Sequence, residues 1–136
     1  MSPLANLAAA EFLRRKASID QAVAANRYPR AQGERVLANW LAIALSAGAR
    51  PAQCGPLLEH WQAERQINDC TARHILLEQG PPSAQWQAEL ARARDTAAAK
   101  ARAHPTNRQT QERHLAMECL AIHLGLPAEE PLDKAA

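Results

Sequence analysis

The stretch ERVLANWLAIALSAG, residues 34–48, decides how the rest of the chain is read. Read as a helix, it carries Val36, Leu37, Trp40, Leu41, Ile43, Ala44 and Leu45 almost all the way round. A helix apolar on every side is normally enclosed by its neighbours. Gly48 offers a left-handed cap, and Pro51 follows where a helix cannot continue. We therefore expect a central rod with the remaining segments wrapped around it.

Those segments also read as helices. Ala, Leu, Gln, Glu and Arg dominate, while Val occurs twice and Thr four times, so helix formers far outnumber strand formers. Toward the N-terminus, residues 3–16 form a helix with Leu4, Leu7, Ala8 and Phe12 inward. SIDQ, residues 18–21, has capping-box spacing, so a second helix or a bend is expected at Ser18. NRYP, residues 26–29, ends that segment, because Pro29 disfavours helical geometry at Tyr28.

Beyond the rod, Gly55-Pro56 favours a helix starting at Pro56 rather than Pro51, with Leu57, Leu58 and Trp61 on its buried side. Asn68 or Asp69 caps a short helix that stops at Gly80-Pro81-Pro82. Ser83 opens a long helix to about residue 103, with a stripe of Trp86, Leu90, Ala93 and Ala97. TNRQ, residues 106–109, is another capping-box match and starts a last helix to about residue 124, which Gly125 closes. The expected fold class is all-α, a single compact orthogonal bundle of six or seven helices over residues 1–126. Residues 127–136 read as a flexible acidic tail.

The core should be thin. Leu, Ile, Val and Phe make up about a fifth of the 136 residues, and alanine supplies much of the apolar total. Sixteen basic residues face 14 acidic ones, so the high net charge of a disordered chain is missing. A second subunit would supplement such a core, which makes a homodimer a natural expectation. No run reaches the roughly 20 apolar residues of a membrane span. The first 16 residues place their positive charges after the apolar run, opposite to a secretory signal. Three cysteines form no paired framework, so free thiols in a cytoplasmic setting are expected. The alanine and arginine bias fits a bacterial or phage genome rich in GC.

Two Cys-x3-His pairs, Cys70/His74 and Cys119/His123, have the spacing that puts both side chains on one helix face. Together they could supply four zinc ligands, with His114 as a substitute, giving a metal-stabilised sensor. The preferred reading is plainer. Cys70 falls on a stripe with Ile67, His74 and Leu77, and Cys119 on one with Leu115 and Ile122, where free cysteine packs as a small hydrophobe. No cofactor is expected.

No catalytic constellation is visible: there is no glycine-rich phosphate loop, and the four serines read as caps or surface residues. The leading expectation is a non-catalytic module that docks onto another protein, adaptor or inhibitor in type, with Tyr28, Trp61 and Trp86 as anchors. The alternative is a nucleic-acid accessory protein. It would use a basic helix face of Arg92, Arg94, Lys100, Arg102 and Arg108, joined by Arg27, Arg30 and Arg35. Two segments have faint helix-turn-helix character, around residues 18–40 and 41–61. The first places its second helix in the apolar rod, and the second has few basic residues.

Overall fold

The computed structural model describes residues 2–127. Six α-helices follow one another among them: α1 Pro3–Ala24, α2 Arg30–Ser46, α3 Pro56–Arg65, α4 Asp69–Gln79, α5 Ser83–Ala103 and α6 Arg108–His123, with a 3-10 turn at Pro51–Cys54 before α3. No strand occurs among the described residues, and the chain is all-α. Its internal contacts gather into two units, residues 1–89 and 90–136, and the boundary falls inside α5. The tail expected from residue 127 onward lies, apart from Pro127, outside the described residues.

In the first unit α2 is the core element. Trp40, Ile43 and Ala44 are fully enclosed, Leu45 nearly so, and Val36, Leu37 and Leu41 are partly covered. It packs chiefly on α1, and also on α4 and the 3-10 turn. The side of α1 that it meets is built from small residues, Ala5, Ala8 and Ala9, followed by Phe12. Gly33 makes the start of α2 equally lean: a Cβ there would lie 2.8 Å from Ile19 Cγ2. These small side chains let the two helices approach closely, which offsets their modest apolar area.

Helix α1 is one unbroken helix, correcting the expected start or bend at Ser18. Ser2 caps it, accepting from Ala5 N at 3.4 Å, and Pro3 occupies the first turn. Ser18 lies inside the helix, and the Lys16 ammonium reaches Asp20 at 2.6 Å across it. The polar groups of SIDQ are thus spent on the helix surface rather than on a new terminus. Asn26, with φ of 58°, makes the left-handed turn after the helix ends.

Other punctuation falls where the residues suggest. Gly48, Gly55 and Gly125 have positive φ, the conformation that glycine adopts without a Cβ clash. Asn68 caps α4 by accepting from Thr71 N; α6 is capped one residue later than the expected box, by Asn107 accepting from Thr110 N rather than by Thr106. In the second unit the buried side chains include Leu90, Ala97, Ala98 and Ala101 of α5 and Met117, Leu120 and Ala121 of α6. Gln111 Nε2 joins the two helices, donating to Ala101 O at 2.8 Å and His104 O at 3.2 Å.

The faces of α4 and α6 are turned from expectation. On α4 the fully buried residue is Ala72, while Cys70 and His74 are exposed. On α6 the buried side is Met117, Leu120 and Ala121; Leu115 and Ile122 are 64% and 70% exposed, with Cys119 exposed between them. Both helices carry apolar residues on more than one side, so periodicity alone picks the wrong stripe. Ala72 wins on α4 because a methyl group permits the closest approach to its neighbours.

Candidate interaction surfaces

Helix α3 stands apart from the other helices of its unit because none of its residues is buried. Gly55 and Pro56 open it, and it rests mainly on the preceding 3-10 turn. Leu57, expected inside, is 77% exposed. Trp61, one turn on, is half-buried, and i,i+4 spacing puts both on one face. The Arg65 guanidinium lies over the Trp61 ring at 4.6 Å from its centroid and donates to Trp61 O at 3.0 Å. The ring is therefore held in one orientation at the surface by a cation–π contact. The correction to the expected buried side has a plain cause. α3 is ten residues long and covers little, so its large side chains have no neighbouring helix to enter.

Trp86 is only 8% exposed, which removes it as a surface anchor. It follows the poor supply of large side chains: a core this rich in alanine takes the indole inside. Tyr28 is half-buried at the corner between α1 and α2 and lines a groove of about 400 Å³ with Val23, Asn26, Arg27, Pro29 and Arg30.

The basic face expected along α5 is interrupted. Arg94 is buried; its Nε donates to Asp95 at 3.1 Å and its Nη1 to Pro127 O at 2.6 Å. A buried guanidinium bonded in this way cannot track a phosphate backbone. Its work is to tie the chain near residue 127 to α5. Arg92, Lys100 and Arg102 are exposed, as is Arg108, whose Nε pairs with Glu112 at 3.1 Å. Arg27, Arg30 and Arg35 are exposed around the α1–α2 corner.

The Cys/His pairs sit on helix surfaces, not on buried stripes. His74 Nε2 faces Glu78 at 3.3 Å, one turn along α4. Among the described residues no three His, Cys, Asp or Glu side chains converge as metal ligands. Cys54 is the buried thiol, and burial pushes its pKa up to about 11, so it is a neutral packing group at physiological pH.

One charged group of the core, and the arginine that covers it, are not among the residues the sequence singles out. Glu11 is buried on α1, where Arg15 Nε donates to it at 2.6 Å and Arg14 Nη2 at 3.0 Å. The Arg15 guanidinium also lies over the Trp40 ring, 4.0 Å from its centroid, joining α1 to α2. The EFLRR spacing gives both the i,i+3 and i,i+4 pairs, and that was the available signal.

No helix among the described residues is long and apolar enough to cross a membrane. No family model, curated protein or solved structure matches the chain.

Proposed function

We propose that this protein is a non-catalytic helical module that docks onto another protein through α3, with Leu57 and Trp61 as anchors. The observation that carries this reading is the contrast within one helix: nothing on α3 is buried, yet it presents a leucine at 77% exposure beside an oriented indole. Tryptophan and arginine are the side chains most enriched where interfaces concentrate their energy. The surrounding Glu59, His60 and Glu64 would form a polar rim. The action would be steric, as in an adaptor or inhibitor, within a cytoplasm that keeps the three thiols free. A second copy of the chain is one candidate for the first partner.

The test compares wild type with Leu57→Ser and Trp61→Ala as affinity baits, alongside sedimentation equilibrium. A partner, or a dimer, held by wild type and lost by both variants at unchanged helicity is the expected result. Equal retention by all three proteins would refute docking at α3.

A further inference from the structure

We propose that the corner between α1 and α2 binds a phosphate group carried beside a planar ring, the chemistry of a nucleotide unit. The groove there is lined by Val23, Asn26, Arg27, Tyr28, Pro29 and Arg30 and holds about 400 Å³, within the usual range of small-ligand sites. Two of its six lining residues are arginines, one is an amide, and none is a carboxylate. Neither the Arg27 nor the Arg30 guanidinium has a hydrogen-bond or ion-pair partner among the described residues, although the Arg27 main chain donates to Ala22 O at 2.9 Å. Elsewhere the basic side chains are often matched: Arg14, Arg15, Lys16 and Arg108 each meet a carboxylate. The corner thus sets two arginine side chains without an ion-pair partner on one groove, in a molecule whose net charge is only +2.

Guanidinium forks match the oxygens of phosphate better than any other side chain does. Tyr28 supplies the second half of the site. Its ring packs toward Gly33, where its Cδ2 would lie 3.7 Å from an added Cβ, and it keeps a minor part of its surface open on the groove. An aromatic wall beside two arginines suits base stacking next to phosphate binding. A neighbouring groove of about 350 Å³ shares Val23 and Arg30 and adds Lys16, Asp20 and Glu34; Asp20 already accepts from Lys16 at 2.6 Å, which leaves Glu34 as an acceptor for a hydroxyl or amino group on the rest of such a ligand.

The ligand has two possible sources, a free nucleotide or one unit of a nucleic-acid strand, and the chemistry at the corner is the same for both. The full chain, labelled with ¹⁵N, is titrated separately with inorganic phosphate, adenosine monophosphate and a short single-stranded oligothymidylate. The expected result is amide shifts centred on residues 23–34, with adenosine monophosphate bound more tightly than phosphate. Tighter binding of the oligonucleotide identifies the strand as the source; equal or weaker binding identifies the free nucleotide. Arg27→Gln and Arg30→Gln should each weaken binding about tenfold, the loss of a charge-assisted contact. Tyr28→Leu should weaken the nucleotide and leave inorganic phosphate unchanged. Leu57→Ser should bind like wild type, which separates this site from docking at α3. The proposal is overturned if no corner amide shifts, if the double arginine variant binds as tightly as wild type, or if adenosine monophosphate binds no better than phosphate.

Discussion

Helices α2 and α3 belong to the same unit, are separated by a single 3-10 turn, and each carries a tryptophan, yet they use it in opposite ways. Trp40 on α2 is fully enclosed, and its Nε1 has no hydrogen-bond partner. Trp61 on α3 keeps part of its ring in solvent under the Arg65 guanidinium. An enclosed indole contributes area removed from water, and its unpaired N–H subtracts from that gain. A partly covered indole contributes less to folding and leaves the remainder of its area in water. The same residue type therefore lies in the core in one helix and at the surface in the next, and what separates them is how many helices lie alongside.

The contrast breaks most sharply by truncation. Trp40→Ala should lose about 3–5 kcal/mol of stability in urea unfolding, with the cavity left behind adding to the lost burial. Trp61→Ala should lose less, about 1–3 kcal/mol, from the covered part of the ring together with the cation–π contact. Comparable losses would mean that α3 carries more of the fold than its burial indicates. Next in size comes Glu11→Ala. It leaves Arg15 without its 2.6 Å partner beside Trp40, and about 1–3 kcal/mol should disappear in the same assay. Gly33→Ala should cost about 1–3 kcal/mol, because the new methyl meets Ile19 at 2.8 Å.

Cys54 sharpens the contrast through pH. Its thiol stays protonated in the folded chain up to about pH 11, against 9.0 for the free group. Between those values the unfolded chain releases a proton that the folded chain retains, so stability should fall as pH rises from 9 toward 11. Below pH 9 this group should have no effect. A thiol reagent near neutral pH should modify Cys70 and Cys119 and spare Cys54 until the chain unfolds. The smallest effect belongs to Leu57→Ser, within about 0.5 kcal/mol of wild type, since the leucine is already in water.

Much of this arrangement is legible in the residues, and the losses have physical reasons. The α2 rod is unmistakable because its apolar positions surround the helix, and no rotation error can expose it. Glycine and proline mark the helix ends, since few other residues substitute for them at those backbone angles. Helices α4 and α6 are misread because Leu115, Cys119 and Ile122 form as regular a stripe as Met117, Leu120 and Ala121 do. Only packing chooses between two such stripes. Leu57 and Trp61 look like core for the same reason: a sequence records that a side chain is apolar, not whether a neighbour covers it. Arg94 shows the reverse error, a charge taken for surface that is buried because a backbone carbonyl near residue 127 receives it. The boundary between the units leaves no trace in composition, since it lies within an unbroken run of alanine-rich helix.

Gly33 has one further consequence. Where α1 and α2 converge, Ile19, Val23 and Tyr28 surround bare main chain rather than a side chain. Main chain within a helix has no rotamers to sample, so this part of the corner keeps its shape whether or not anything occupies it. A guest arriving there would meet a surface already set, and would lose little freedom of the host on binding.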